Sequence, residues 1–183
     1  MALKRGLLAM QKHPDLRLSV NMSARSIGYG RWNHILERGI REDSSIAERL
    51  ILEITERSAI LVPELVVDFM NKLQRKGISF AIDDFGSGYT SFQYLKEFYF
   101  DILKIDGRFI SGIASDHDSQ IITKAITSLA RDFDMVSVAE NVESAEDAKF
   151  LQELGVDCLQ GYFYGAPTVR PIWAEDAATQ QSA

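Results

Sequence analysis

The sequence contains one cysteine, Cys158, and this scarcity excludes an internal disulfide framework and fits a reducing compartment. No apolar run approaches the roughly 18 residues that a membrane-spanning helix needs, so direct membrane insertion is not expected. Basic residues are also few, because 20 Lys and Arg stand against 26 Asp and Glu, giving a net charge of −6. Without a basic tract, the chain is not expected to bind a nucleic-acid duplex.

Two further absences narrow the chemistry. No G-x-G-x-x-G follows the first predicted strand, which weakens the dinucleotide-binding version of an open α/β sheet. The three histidines, His13, His34 and His117, lie away from the ends of the predicted strands. A zinc site is therefore not expected.

The segments that are present alternate between short β-rich runs and longer helical patterns. The predicted strands are residues 16–20, 49–54, 79–83, 101–105, 135–140 and 157–161, and the predicted helices include 62–77, 120–133 and 144–155. This alternation predicts βαβ units and a parallel α/β sheet, either a (β/α)8 barrel or an open doubly wound sheet. A barrel uses about 31 residues per unit, so 183 residues would supply about six of its eight strands.

Polar residues stand at the end of every predicted strand. They are Asn21 and Ser23, then Glu53, Thr55 and Glu56, then Asp83 and Asp84, then Lys104 and Asp106, then Glu140, Asn141 and Glu143, and finally Gln160. A single acid at a strand end is commonly a helix cap or a turn residue. Six such ends in register favour a site, because the C-terminal ends of parallel strands meet at one edge.

The residue types at these ends indicate a metal site for a phosphodiester. Carboxylate and amide oxygens suit Mg²⁺, Mn²⁺ or Ca²⁺, and clustered carboxylates cost free energy unless cations neutralise them. Two metal ions about 4 Å apart would neutralise them and clamp a phosphodiester. Lys104 is then either a buried counter-ion or the group that orients the attacking water or stabilises the departing oxygen.

Strand phase divides the acids into groups. Glu53 and Thr55 share a face while Glu56 has the opposite phase, so Glu53 and Glu56 should differ in role. Asp83 and Asp84 can both reach one site only if the strand ends between them, which Gly86 and Gly88 favour.

Six motifs in order, VNMSA, LEITE, IDDFGSGYTSF, LKIDGRFI, AENVE and LQGYFYGAP, closely resemble those of the EAL domain, the bacterial phosphodiesterase that cleaves cyclic di-GMP to linear pGpG. The resemblance runs from about Leu16 to Pro167. It implies a TIM-like (β/α) barrel, here incomplete with about six of eight strands. The domain is expected to occupy residues 1–173, and the polar tail 174–183 is predicted to be disordered.

The resemblance also implies the ligands and the roles of single residues. It implies two Mg²⁺ or Mn²⁺ ions with Ca²⁺ as an inhibitor, cyclic di-GMP as substrate, a homodimer, and a cytoplasmic protein that can be tethered to a membrane. The implied metal ligands are Asn21, Glu53, Asp83 and Asp84, and the implied catalytic residues are Lys104 and Glu140. The implied substrate and loop residues are Glu56, Phe85, Gly86, Ser87, Gly88, Tyr89, Glu143 and Gln160. Glu56 is implied to anchor the loop that follows the Asp83–Asp84 pair.

The sequence departs from the family pattern at two places. No E-A-L triplet ends a strand ahead of Asn21, and because the glutamate of that triplet is a metal ligand in the family, this chain is expected to be impaired. Asn141 stands where the family usually has glycine, although asparagine tolerates a left-handed backbone better than most residues. The alternatives are a non-catalytic receptor for cyclic di-GMP and an interaction module that uses exposed sheet edges.

Overall fold

The computed structural model describes residues 2–88 and 95–169, so the predicted tail and Tyr89 lie outside the described residues. The strands are β1 (Leu18–Met22), β2 (Leu50–Thr55), β3 (Ser79–Phe85), β4 (Ile102–Ile105), β5 (Val136–Ala139) and β6 (Cys158–Leu159). The helices are α1 (Ala2–Lys12), α2 (Ala24–Ile27), α3 (Gly30–Glu42), α4 (Ile46–Arg49), α5 (Glu56–Leu61), α6 (Pro63–Gln74), α7 (His117–Asp132) and α8 (Ala145–Leu154). Two short 3-10 turns, Gly107–Phe109 and Ile113–Ser115, follow β4.

The six strands form one parallel sheet in the order β1-β2-β3-β4-β5-β6. A doubly wound sheet reverses its strand order at a switch point, whereas this order is sequential throughout, as in a barrel wall. The predicted α/β class and the six predicted strands are confirmed, with β1 beginning two residues later than predicted. Within residues 2–88 and 95–169, β1 and β6 are the two edges, so the sheet is an open arc.

Residue choice at the helix ends explains where three of the helices begin and where one of them ends. Pro63 is the first residue of α6, where its missing N–H costs nothing. Asp116 caps α7 by accepting from the N–H groups of the first turn, which starts this helix three residues before the predicted residue 120. Ser144 caps α8, and Gly155, at φ 87°, ends it in the left-handed conformation.

The core lies between the sheet and the helices that cover it. Leu50, Leu52 and Ile54 alternate along β2 on one face and are completely buried. Glu53 lies on the other face and is nevertheless buried, which indicates that the polar site is partly enclosed. In the described part of the chain, no helix is both long and apolar enough to cross a membrane.

Candidate active site

Lys104, near the end of β4, is the centre of a buried ionic cluster. Its Nζ lies 2.7 Å from Glu140 Oε1, 2.9 Å from Asp83 Oδ1 and 3.2 Å from Glu53 Oε2. These carboxylates come from β2, β3 and the residue after β5, so they converge on Lys104 from both sides of β4. The lysine residue is only 6% exposed, and a buried ammonium group of this kind persists only when it is paired.

The carboxylates keep Lys104 charged. Burial by itself disfavours the ammonium form, but the close contacts with Glu140 and Asp83, together with the charges of Glu140 and Glu53, outweigh it. The net effect raises the pKa of Lys104 above its usual 10.5. At neutral pH the side chain is therefore a proton donor and a positive charge, and it cannot serve as the base.

A bulge in β3 brings two adjacent aspartates to the same place. The strand continues through Asp83 and Asp84 to Phe85, so the expectation that it ends between the aspartates was wrong. Its pairing with β4 instead shifts register between Ile82 and Phe85, and Asp84 adopts a left-handed backbone at φ 54°. A bulge re-aims one side chain without ending the strand, which is how both carboxylates can face one site.

Asp83, Asp84 and Glu140 form a group that could hold a metal ion, because one oxygen of each lies within 4.8 Å of the others. Asp83 Oδ1 is buried and has no hydrogen-bond partner among the described residues, so its contact with Lys104 is an ion pair without hydrogen-bond geometry. Burial raises the pKa of Glu140, and the Lys104 charge offsets only part of this. Burial and the nearby Asp83 and Asp106 charges raise the pKa of Asp84.

These properties fit a hard divalent cation. The three carboxylates supply oxygen ligands of the type that Mg²⁺, Mn²⁺ and Ca²⁺ prefer. Burial, with a smaller effect of neighbouring carboxylates, raises the pKa of Asp84 and that of Glu140, and a bound cation would favour the ionised form of both.

Glu56 holds the segment that follows β3. Its carboxylate is 1% exposed and accepts a hydrogen bond from the Gly86 N–H at 3.0 Å, and Gly86 turns the chain at φ 91°. Glu53 contacts Lys104 instead, so the two glutamates contact different groups, as their opposite phases predict. Phe85 is buried, whereas Ser87 and Gly88 are exposed.

Glu53, an expected metal ligand, pairs with Lys104 and is not part of the group that could hold an ion. The described ion pairs of Lys104 do not include three other predicted site residues. Asn21 is exposed on β1 but lies opposite Glu53 in the register, which places it on the same face. Glu143 is exposed and accepts from Ser111 Oγ at 3.3 Å. Gln160 contributes its backbone, donating to the Ala139 carbonyl at 2.9 Å and accepting from the Val142 N–H at 3.0 Å. The roles of these residues stay predictions.

The sequence reasoning did not single out Arg108, whose guanidinium forks onto the Asp106 carboxylate at 3.1–3.2 Å. Asp106 also accepts from the Arg108 backbone N–H at 2.8 Å and so starts the 3-10 turn that ends β4. Asp106 followed by Gly107 is a recognisable turn signal, but it does not show that the turn borders a site.

A cavity of about 370 Å³ opens beside this site. It lies between the segments that follow β5 and β6, and its lining includes Glu140, Asn141, Gln160, Tyr162 and Tyr164. Polar groups on one side and aromatic rings on the other are typical of a small-molecule pocket.

Fold and site together define an α/β barrel-type domain with a lysine-centred acidic site at the C-terminal ends of its strands. Residues 2–167 match the EAL domain, and the chain belongs to this family. It is 36% identical over 155 residues to the bifunctional diguanylate cyclase/cyclic di-GMP phosphodiesterase MucR of Pseudomonas aeruginosa, covering 85% of this chain and 23% of that protein.

Two solved structures support the same family membership. The MucR phosphodiesterase in complex with c-di-GMP has a TM-score of 0.80 and 34% identity, over 91% of this chain and 68% of that one. The EAL domain of Mycobacterium smegmatis DcpA has a TM-score of 0.84 and 26% identity, over 97% of this chain and 81% of that one. The chain spans about a fifth of the length of the curated relatives it matches, 23% and 21% for two of them.

Proposed function

We propose that this chain is the catalytic part of a phosphodiesterase that hydrolyses cyclic di-GMP to linear pGpG. The observation that carries the proposal is the buried Lys104 with its carboxylates, beside a group of acids that could hold a metal ion. Similarity to MucR and to its complex with c-di-GMP supports the choice of substrate.

In this proposal Asp83, Asp84 and Glu140 hold a divalent ion, Mg²⁺ or Mn²⁺, and Asn21 and Glu53 complete a two-ion site. The ions would neutralise phosphate charge and lower the pKa of a bound water. Lys104, held charged by its neighbours, stabilises the departing oxygen. Ca²⁺ inhibits because its larger and more flexible coordination does not fix the same geometry.

The remaining predicted residues would hold the substrate and control access to it. Glu56 fixes the start of the segment after β3 at Gly86, and Gln160 lines the cavity. Glu143, which accepts from Ser111, would contact the substrate from the segment after β5. We further propose that the domain works as a homodimer in the cytoplasm. The impairment expected from the absent E-A-L glutamate stays a prediction.

The test is chromatographic separation of pGpG from cyclic di-GMP after incubation of the chain with Mn²⁺ or Mg²⁺. We expect metal-dependent cleavage that falls by about 100-fold or more in Asp83→Asn and Lys104→Met, because each removes a group that acts on the transition state. Asp132→Asn, on the exposed last turn of α7 at the opposite end of the sheet, is the matched control.

The outcome distinguishes the alternatives. Calorimetric binding of cyclic di-GMP without any pGpG would favour the non-catalytic receptor. Absence of both binding and cleavage by the chain would contradict the proposal.

A further inference from the structure

Glu140 and Asn141 form a two-residue turn whose two ends are fixed to the same residue. The carbonyl of Ala139, before the turn, accepts from the Gln160 N–H at 2.9 Å. The N–H of Val142, after the turn, donates to the Gln160 carbonyl at 3.0 Å. These two hydrogen bonds fix the ends of the turn and leave its rotation between them to be set by other contacts.

Asn141 adopts a backbone conformation that a side chain makes costly. Its φ is 56°, in the left-handed region, immediately after Glu140. Such a conformation costs of order 1 kcal/mol for a residue other than glycine and persists where the surroundings hold it. The contacts of the Asn141 side chain therefore determine whether this turn is held in place.

The Asn141 side chain lies directly over Gly107, in the turn that follows β4. A β-carbon added at Gly107 would lie 2.8 Å from Asn141 Cβ and would overlap the Asn141 amide. Gly107 is not among the glycines with positive φ, so its backbone conformation does not require glycine. Glycine fits at this position because the Asn141 side chain occupies the space that a larger residue would need.

This contact joins the two segments that carry the central ion pair. Gly107 follows Lys104 by three residues, Asn141 follows Glu140 directly, and the Lys104 Nζ to Glu140 Oε1 distance is 2.7 Å. We propose that Asn141 is a positioning residue that, seated on Gly107, fixes the rotation of the turn and so holds Glu140 against Lys104. The inference rests on the proposed function only for its effect on turnover.

The first measurement is made without substrate or metal. The coupling between Lys104 and Glu140 is obtained from a double-mutant cycle of K104M and E140Q in urea unfolding, once with Asn141 and once in the N141G background. We expect the coupling to fall by at least half in the N141G background. Because glycine adopts a positive φ freely, N141G itself should fold with an unchanged or higher Tm. Asp134→Gly makes the same backbone change at φ 55°, before β5, and should leave the coupling unchanged.

The second measurement is Mn²⁺ affinity by electron paramagnetic resonance, with kcat and KM measured where pGpG is formed. N141G should weaken Mn²⁺ binding about tenfold, as loss of a group that orients a ligand does, and lower kcat more than KM. G107A should weaken Mn²⁺ binding when Asn141 is present and add no further loss in the N141G background.

The inference is overturned if the coupling between Lys104 and Glu140 is the same with and without Asn141. It is also overturned if G107A has the same effect in both backgrounds. Neither result depends on cleavage of cyclic di-GMP, so a chain that neither binds nor cleaves cyclic di-GMP would contradict the proposed function, while the unfolding test would still decide this inference.

Discussion

At the scale of single residues, the site is set by an imbalance of charge. One ammonium group, on Lys104, meets the carboxylates of Glu53, Asp83 and Glu140, and Asp84 adds a further acid nearby. The lysine keeps the acids together in the metal-free protein but cannot neutralise them all. Burial is the first cause of the raised pKa of Glu140 and of Asp84, the neighbouring carboxylates add to it, and a bound cation would favour the ionised forms.

Replacing Lys104 by methionine should destabilise the metal-free protein by about 3 kcal/mol, because it leaves buried carboxylates without a counter-ion. Lys104 has a raised pKa, so its stabilising charge is complete below 10.5 and does not change between pH 5 and 8. Glu140 does titrate: its pKa is raised by burial in the folded state, and losing Lys104, which lowers that pKa, would raise it further, so Glu140 destabilises the variant more than the wild type as pH rises. The loss should therefore be larger at pH 8 than at pH 5.

Urea unfolding in the presence of a chelator at both pH values measures this loss. Lys72→Met is the control, because its ion pair with Glu37 is 3.4 Å long and exposed, and it should change the free energy of unfolding by less than about 0.5 kcal/mol. An equal loss in the two variants would contradict the assigned role of Lys104.

Arg49 has a purely structural task at the opposite end of β2. Its Nη1 donates to the backbone carbonyls of Met10, His13 and Leu16 at 2.9–3.3 Å and so closes the connection between α1 and β1. Arg49→Met should lower the free energy of unfolding by about 2 kcal/mol, since partly buried carbonyls lose their donor. Chemical unfolding of Arg49→Met and of the exposed control Arg75→Met checks this prediction. Equal changes in the free energy of unfolding would show that the three contacts contribute little.

At the scale of elements, the sequence predicted what is local and missed what depends on tertiary contacts. Apolar runs and capping residues located all six strands and helices α6, α7 and α8. Helix α3 was not predicted, although its buried Trp32, Leu36 and Gly39 follow helical spacing. The bulge at Asp84 was missed because it is a change of register between β3 and β4, which depends on tertiary contacts.

A polar clip joins β5 to the start of β6. Asp157 Oδ2 accepts from Ser137 N at 2.8 Å and from Ser137 Oγ at 2.6 Å, and Ser137 is buried. Asp157→Ala should cost about 1–2 kcal/mol, because two donors lose their acceptor. The hydrogen bonds of Ser137 lower the pKa of Asp157, so its contribution is present above 3.8 and lost as pH falls through the folded-state pKa.

Unfolding of the wild type and Asp157→Ala at pH 6 and near pH 3 tests the clip. The difference in the free energy of unfolding should shrink at the lower pH. Asp132→Asn on α7 serves as the exposed control. A difference that stays constant or grows on acidification would show that the carboxylate is not the stabilising group.

At the scale of the whole molecule, the family pattern and the parallel topology together predicted which side chains lie close together, whereas the roles of these residues stay predictions. Strand ends that lie far apart in the sequence meet at one edge, so Glu53, Asp83, Lys104 and Glu140 could be grouped from their positions alone. Which of these acids contact Lys104, and which could also hold an ion, could not be predicted in the same way. Side-chain contacts decide that Lys104 binds Glu53 while Glu140 also belongs to the group that could hold an ion.

Metal binding should stabilise the whole sheet, because the ion would connect β3 to the end of β5 across β4. A ligand that binds only the folded state adds about 2.7 kcal/mol at 100 times its Kd, so Mn²⁺ should raise the Tm and a chelator should reverse the rise. Calorimetric scans over a Mn²⁺ titration measure the effect. Asp83→Asn and Glu140→Gln should each remove most of it, whereas Asp132→Asn should not. If both site variants gained as much stability from Mn²⁺ as the wild type, the ion would bind elsewhere, and the acids around Lys104 would be a structural cluster and not a metal site.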